Sequence, residues 1–137
     1  MGRIRDVMEK KIVTIEKDQS VSHAAKLMKE NDISFLVIIE NNEPIGVLSE
    51  RDFVQKFCIN DKKSDEIRIS EIMSYKFRWV EPTTEIEDAI QKMLNNNIRR
   101  LLVLDNKKLV GVITQTDLVS YLRDKLLVDE TIKNVQK

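Results

Sequence analysis

Apolar residues recur three and four positions apart in two stretches of the chain, the spacing that places them on one face of a helix. Ser20 and Thr84 precede these stretches and are predicted N-caps, and Glu87 completes a capping box with Thr84. The two helices are predicted to end near Asn31 and Asn96. Their apolar stripes consist of Val21, Ala24, Ala25 and Met28 in the first helix, and of Ile86, Ala89, Ile90 and Met93 in the second.

Continuous aliphatic runs follow each helix and predict buried strands. Turn residues and a further apolar segment come after each run, which indicates a hairpin. The predicted hairpins comprise strands 35–39 and 45–49 around Asn41 and Asn42, and strands 101–104 and 110–114 around Asp105 and Asn106.

A short strand is predicted before each first helix, and a second helix after each hairpin. The segments 12–15 and 77–80 are rich in β-branched or aromatic residues, which favour strands. The element order is therefore β-α-β-β-α, twice. The predicted second helices are Arg51–Cys58, whose inner side carries Val54 and Phe57, and Thr116–Leu127.

The two halves match one another when the sequence is shifted by 65 positions, and no gap is needed. A match at a fixed spacing indicates duplicated structural units, and two copies favour a paired module over a solenoid. The polar stretch 60–65 is the predicted linker. We therefore expect a first unit at 1–60, the linker and a second unit at 61–127, and a tail at 128–137 that frays or docks on a partner. Matched pairs include Met8/Met73, Ala24/Ala89, Met28/Met93, Gly46/Gly111 and Asp52/Asp117.

Composition predicts a soluble globular protein. The 137 residues are 42% hydrophobic and 34% charged, and 23 basic residues balance 23 acidic ones. This balance, with 5% aromatic residues, argues against a large nucleic-acid surface. The single cysteine, Cys58, excludes an internal disulfide and suits a reducing compartment, so a cytoplasmic location is expected. No run approaches the roughly 20 apolar residues of a membrane helix, and the N-terminus lacks an apolar signal core.

The junction GVLSERDF at 46–53 recurs as GVITQTDL at 111–118. One interpretation is structural, because a hydroxyl followed three residues later by an acid caps a helix, and a strand glycine permits close packing. The other is chemical. The first turn of a helix favours phosphate, and a nearby carboxylate can accept two hydrogen bonds from a ribose diol.

Catalytic and metal-binding patterns are absent from the sequence. His23, the only histidine, and Cys58 are predicted to be ordinary helix positions. The sequence has no phosphate-binding glycine loop, metal-ligand spacing or paired carboxylate site. We therefore expect no enzymatic activity, no metal and no catalytic cofactor.

Two β-α-β-β-α units, each ending in Gly, two apolar residues, Ser or Thr, two variable residues and Asp, resemble a tandem pair of cystathionine beta-synthase (CBS) domains. The resemblance covers residues 3–125. It implies an α+β fold in which two CBS units pack as a pseudo-twofold pair, a Bateman-type module with two clefts between the units. Many such pairs sense an adenosine-containing ligand, such as AMP, ADP, ATP or S-adenosylmethionine.

The resemblance makes Asp52 and Asp117 the ribose-binding acids. It also implies that Arg99 and Arg100 bind phosphates held over Asp52; a solvated pair at a helix-strand corner is the alternative. The first cleft would then combine apolar contacts for a base, an acid for ribose and cations for phosphate. Its predicted residues are Thr14, Ile33, Phe35, Ser49, Arg51, Asp52, Arg99 and Arg100.

The second cleft departs from this set and is the weaker phosphate site. Ser34 and Phe35 replace the basic pair, and Thr116 replaces Arg51. Trp79, in place of Thr14, would either stack on a base or fill the cleft, and core packing is favoured for so large a hydrophobe. The predicted residues of this second set are Trp79, Ile98, Thr114 and Asp117.

The leading functional hypothesis is a regulatory module that binds an adenosyl ligand and acts on an unidentified protein in trans. The alternative is a structural homodimerisation or scaffold module whose clefts are vestigial. Nucleic-acid binding is a third, less favoured hypothesis. The apolar residues that suit a dimer surface are Phe53, Val54, Phe57, Leu118, Tyr121 and Leu122.

Overall fold

The computed structural model describes residues 2–136, and it describes side chains for residues 2–127. The predicted order β-α-β-β-α, twice, is confirmed. The first copy consists of β1 (Thr14–Ile15), α1 (Val21–Asn31), β2 (Phe35–Glu40), β3 (Glu43–Ser49) and α2 (Glu50–Asp52), which continues as a π-helical turn at Phe53–Phe57. The second copy consists of β4 (Trp79–Val80), α3 (Ile86–Asn96), β5 (Arg100–Asp105), β6 (Lys108–Thr114) and α4 (Gln115–Gln136).

Each copy forms a three-stranded sheet, in the orders β1-β2-β3 and β4-β5-β6. β1 runs parallel to β2, with Thr14 opposite Val37, and β4 runs parallel to β5, with Trp79 opposite Leu102. β2 and β3 form an antiparallel hairpin. The first strand of each copy is shorter than predicted because it pairs over only two residues.

The chain divides into two compact units, and each contains the segment that leads into the other copy. One unit comprises 1–10, 78–105 and 110–137; the other comprises 11–77 and 106–109. A short 3-10 helix lies in each leading segment, at Ile4–Asp6 and at Ile69–Glu71. Residues 61–77, expected from the sequence to go with the second copy, thus pack with the first.

Buried aliphatic residues explain why each leading segment packs with the copy that it does not lead into. The core of the first copy includes four residues of the leading segment that follows it, and the core of the second copy includes Ile4. Ile4 and Ile69 occupy matching positions and are both fully buried. Burying such a side chain contributes about 1.5–3 kcal/mol, so each leading segment is held chiefly by its apolar residues. The four residues in the first core are Ile67, Ile69, Ile72 and Met73.

Of the two predicted helix caps, one is observed and the other is not. The Ser20 hydroxyl caps α1 by accepting a hydrogen bond from the His23 N–H at 3.1 Å. Thr84 is not the cap of α3: its hydroxyl accepts from the Glu81 N–H at 3.2 Å, within a turn before the helix. Glu85 is the N-cap instead, at the position matching Ser20. Of the predicted stripe residues, Ala25 is exposed.

The hairpin turns depend on residues that tolerate a left-handed backbone. Asn41 and Asn42 have φ of 54° and 66°, and Asn106 and Lys107 have φ of 50° and 69°. Two consecutive residues with positive φ suit the twist of a two-residue hairpin, and asparagine adopts this conformation most readily. Asp105 was predicted in the turn but is the last residue of β5, so the second turn lies one residue later.

The helix after the first hairpin differs in type from the prediction. It begins at Glu50, and from Phe53 to Phe57 it is a π-helical turn, in which the Cys58 N–H donates to the Phe53 carbonyl at 2.8 Å. Val54, predicted on the inner side, is 62% exposed. Phe53 and Phe57 pack against the core in the positions that the wider turn gives them.

The helix of the second copy is longer than predicted, and its backbone continues to Gln136. The predicted fraying or docking of 128–137 concerns side chains outside the described residues. Among the described residues, no helix combines the length and apolar character needed to span a membrane.

The two repeated glycines lie where a leading segment crosses a strand. Gly46 is buried beside Ser74, which exchanges two backbone hydrogen bonds with Val47, at 2.9 and 2.8 Å. A Cβ on Gly46 would lie 2.7 Å from the Ser74 carbonyl oxygen. At Gly111 the nearest atom to an added Cβ is the sulfur of Met8, which belongs to a flexible side chain. Both glycines therefore permit a close crossing, but only Gly46 faces a fixed backbone atom at that distance.

We predict that Gly46→Ala lowers the free energy of unfolding by about 1–3 kcal/mol, because the new methyl group must push the Ser74 backbone away. Gly111→Ala is the matched control, since the Met8 side chain can rotate aside. Urea unfolding of both variants and the wild type measures the difference. Equal loss in the two variants would contradict the role assigned to the Ser74 carbonyl.

Candidate functional site

The junction of the first copy is held by the carboxylate of Asp52. The backbone N–H of Ser49 donates to Oδ2 of Asp52 at 2.9 Å, and the Ser49 hydroxyl lies 3.2 Å from the same oxygen. Asp52 is the one buried polar or charged residue among those described. Its carboxylate thus satisfies an amide at the sharp change from strand to helix, where the backbone provides no partner. The predicted capping role is confirmed.

The second copy repeats this arrangement. The N–H and the hydroxyl of Thr114 both donate to Oδ2 of Asp117, each at 2.9 Å. The Asp117 N–H lies 3.2 Å from the Thr114 hydroxyl oxygen, which completes a reciprocal cap. In both copies, one carboxylate oxygen holds the junction while the other does not take part in it.

The second oxygen distinguishes the two copies. Oδ1 of Asp52 forms an ion pair with Lys56, whose Nζ lies 2.9 Å away. Tyr121 stands at the position matching Lys56, and among the side chains described no lysine or arginine is ion-paired with Asp117. Lys56 was not among the predicted site residues. Its spacing of four from Asp52 on a helix was the signal that could have identified it.

Thr14, Ile33, Phe35 and Arg51 of the first predicted set lie in the same unit as Asp52. Phe35 pairs with Ser49 across the β2–β3 ladder, and Ile33 packs against the core just before β2. Thr14 is exposed on β1, and Arg51 is exposed beside Asp52 in α2. A backbone hydrogen bond from Glu50 to the Ser34 carbonyl, at 3.0 Å, ties the start of β2 to this junction.

The second set lies in the other unit, together with Arg99 and Arg100 of the first set. Ile98 packs partly against that unit's core, and Arg100 is the half-buried first residue of β5. The carbonyl of Arg99 accepts a hydrogen bond from the Gln115 N–H at 2.9 Å, which places Arg99 next to the junction of Asp117. Arg99 is exposed. The pairing of both arginines with a ligand over Asp52 stays a prediction.

Trp79 is not a core residue, and the favoured prediction was wrong. It is 45% exposed, whereas its neighbour Val80 is buried in the core. Side chains alternate along a strand, so burial of Val80 places Trp79 on the opposite face of β4. The Trp79 carbonyl accepts a hydrogen bond from Lys92 Nζ at 2.7 Å.

His23 and Cys58 occupy the ordinary helical positions that the sequence predicts for them. His23 is exposed in the first turn of α1, and Cys58 is exposed just after the π-helical turn. Among the residues described, no group of three or more His, Cys, Asp or Glu side chains is placed to hold a metal ion.

The duplicated β-α-β-β-α fold, with an aspartate-held junction after each hairpin, defines a tandem repeat of a small α+β domain. The CBS domain family model matches the chain twice, at residues 4–58 and 69–124. The chain therefore belongs to the CBS domain family and carries a pair of CBS domains.

Relatives and solved structures agree with this assignment. The chain is 35% identical to an uncharacterized protein of Methanopyrus kandleri over 85% of its own length and 60% of the relative's. It spans about three-fifths of the first two curated relatives. It is 30% identical to the CBS domain-containing protein YhcV of Bacillus subtilis, covering 86% of this chain and 84% of YhcV.

Two solved structures share the fold. The crystal structure of the CBS domain protein NE2398 matches with a TM-score of 0.82 and 28% identity, over 89% of this chain and 98% of that one. The CBS domain pair of protein MJ0100, in complex with 5′-methylthioadenosine and S-adenosyl-L-methionine, matches with a TM-score of 0.81 over 91% of this chain and 98% of that one. Its identity of 23% supports the fold alone.

We predict that Thr114→Ala lowers the free energy of unfolding by about 1 kcal/mol, because the Asp117 amide loses its hydroxyl partner. Thr116→Ala removes an exposed hydroxyl from the same helix and serves as the control, with an expected change within about 0.5 kcal/mol. Thermal and urea unfolding measure both. A Thr116 effect as large as that of Thr114 would contradict the cap.

Proposed function

We propose that this CBS pair is a regulatory module that binds an adenosine-containing ligand and acts on a partner protein in trans. The observation that carries the proposal is that the two carboxylate oxygens of each aspartate have different roles. Oδ2 holds the junction, while Oδ1 lies outside it and, in Asp52, is already bound by a cation. A carboxylate fixed in this way is preorganised to accept hydrogen bonds from the two hydroxyls of a ribose.

The other predicted residues supply the remaining chemistry of such a ligand. Around Asp52, we propose that Phe35 and Ile33 contact the base, that Thr14 and Ser49 contact ribose or phosphate, and that Arg51, with Arg99 and Arg100, binds phosphate. Around Asp117, Thr114 and Ile98 take the matching roles. The exposed face of Trp79 is suited to stack on a base, since it is not occupied by core packing.

The choice of adenosyl ligands rests on the family resemblance and on the fold. CBS pairs commonly bind AMP, ADP, ATP or S-adenosylmethionine, and the structurally similar pair of MJ0100 is in complex with two adenosyl compounds. These compounds are therefore the first ligands to test. The proposed role is sensing, without catalysis or a catalytic cofactor, in the cytoplasm.

We expect Asp52→Ala and Asp117→Ala each to weaken binding at their own site by roughly ten- to hundred-fold, because a hydrogen bond to a charged group contributes about 1.5–3 kcal/mol. Calorimetric titration with AMP, ADP, ATP and S-adenosylmethionine measures the affinities and the number of sites.

Two controls separate binding from folding. Asp61→Ala removes an exposed carboxylate of the first copy and should leave the affinity unchanged. Asp52→Asn keeps an oxygen that can accept from the Ser49 N–H, so it should weaken binding with less loss of stability. If no adenosyl ligand binds the wild type, or if neither aspartate substitution changes the affinity, the proposed function is wrong.

Homodimerisation is the second candidate function, and an apolar surface on α4 favours it. Val119, Leu122 and Leu126 lie three and four positions apart, so they share one face, and all three are exposed. This face differs from the predicted dimer surface. Leu118 is buried in its own core, while Phe53, Phe57 and Tyr121 pack partly against the cores. Val54 and Leu122 are the exposed members of the predicted set.

If α4 mediates a dimer, Leu126→Glu should shift the protein to monomer at micromolar concentration, because a charge would be buried in the interface. Leu94→Glu is the matched control, since Leu94 is an equally exposed leucine on α3 of the same unit. Analytical ultracentrifugation measures both. A wild type that is monomeric, or a Leu126 variant that stays dimeric, would count against this candidate.

A further inference from the structure

The two junctions differ in the charge that accompanies the ligand-binding carboxylate. In the first copy, Arg51 precedes Asp52 and Lys56 is ion-paired with it. In the second copy, the matching positions are Thr116 and Tyr121, and neither is charged at neutral pH. The helices that follow the two junctions thus differ by two cations, while at the start of the first strand of each hairpin the difference is reversed, since Arg99 and Arg100 match Ser34 and Phe35.

Lys56 reaches the carboxylate across one helical turn, because it follows Asp52 by four positions. The turn between them is the π-helical one at Phe53–Phe57. Lys56 Nζ accordingly lies 2.9 Å from Oδ1 of Asp52, while its side chain is 44% exposed. The matching segment of the second copy is regular α-helix, and Tyr121 there packs against the core. The ion pair therefore joins a half-exposed lysine with a long side chain to a buried aspartate.

A ribose bound to Asp52 must share or replace the contact that Lys56 makes. Water can hydrate the half-exposed ammonium when it loses the carboxylate, but only a ligand that brings an anion within its reach replaces the lost ion pair. The phosphate of a nucleotide meets this condition. A nucleoside, or a ligand whose own charge is positive, does not.

We propose that Lys56 is a specificity-determining residue that makes the Asp52 site select adenosine ligands carrying phosphate over those without it. This inference rests on the proposed function and adds the substrate class of one site to it. When the ligand binds, the Lys56 ammonium leaves the Asp52 carboxylate and contacts the phosphate. Among the described side chains of α4, no cation is ion-paired with Asp117, and the Asp117 site accepts adenosyl ligands without phosphate.

The test isolates the Asp52 site and measures its preference. In an Asp117→Asn background, which keeps an acceptor for the Thr114 N–H, the affinities for AMP and for adenosine are measured by calorimetry with Lys56 intact and with Lys56→Met. The methionine keeps the length of the side chain and removes its charge. We expect AMP to bind about five-fold more weakly and adenosine to bind equally or more tightly, so the ratio of affinities falls by roughly five- to ten-fold.

Three comparisons make the result specific to Lys56. Lys56→Arg keeps a cation at this position and should keep the preference for AMP. Lys63→Met removes an exposed charge from the same unit and should leave the ratio unchanged, which separates local contact from the general field. In the same background, Asp52→Asn should weaken the binding of both ligands.

The outcomes distinguish this inference from the proposed function. If Asp52→Asn weakens binding but Lys56→Met leaves the ratio of AMP to adenosine unchanged, the role of Lys56 is overturned and the proposed function stands. An equal change for both ligands overturns the role of Lys56 as well. If Asp52→Asn affects neither ligand, both the role of Lys56 and the assignment of the ribose site are wrong.

Discussion

A single carboxylate holds the strand-to-helix junction in each CBS domain, and the candidate site is built on it. The aspartate accepts the amide of the last strand residue, so its position is set by the backbone rather than by a rotamer choice. This fixes the second oxygen in space before any ligand arrives. Folding and the proposed binding therefore depend on the same group, and a substitution there lowers stability unless it preserves an acceptor for the amide.

The sheets depend in turn on segments that lie far away in the sequence. Each three-stranded sheet is too small to cover its apolar face, and a leading segment with buried isoleucines completes the core. The first ten residues complete the unit of the second copy, while residues that follow the first copy complete its own unit. The buried glycine of each hairpin lets the segment cross closely. The glycine of the repeated junction thus permits the crossing, while the hydroxyl and the aspartate together cap the helix.

Local sequence patterns predicted most of the fold. The wrong predictions depend on tertiary contacts that such patterns do not contain. The helical stripes, the buried runs and the duplicated order follow from periodicity and were confirmed. Thr84 was misplaced because its hydroxyl bonds within the preceding turn, and Trp79 because its two-residue strand has only one buried position. The site aspartates were visible as a repeated motif. Lys56 was missed because it has no counterpart in the second copy, although its spacing of four from Asp52 permits the ion pair that the structure shows.

The weakness of the Asp52–Lys56 ion pair is what suits it to discrimination. The chain has no formal net charge, so the proposed selection by charge depends on groups near the ligand rather than on a global field. A partly exposed pair contributes at most about 1 kcal/mol to stability, so a ligand can exchange its partners at little cost. A deeply buried pair would resist that exchange, because separating it leaves an unpaired charge in a low dielectric. In the proposed site, a lysine paired with a fixed carboxylate would allow one residue to alter the ligand preference of one copy while the fold of both copies stays the same.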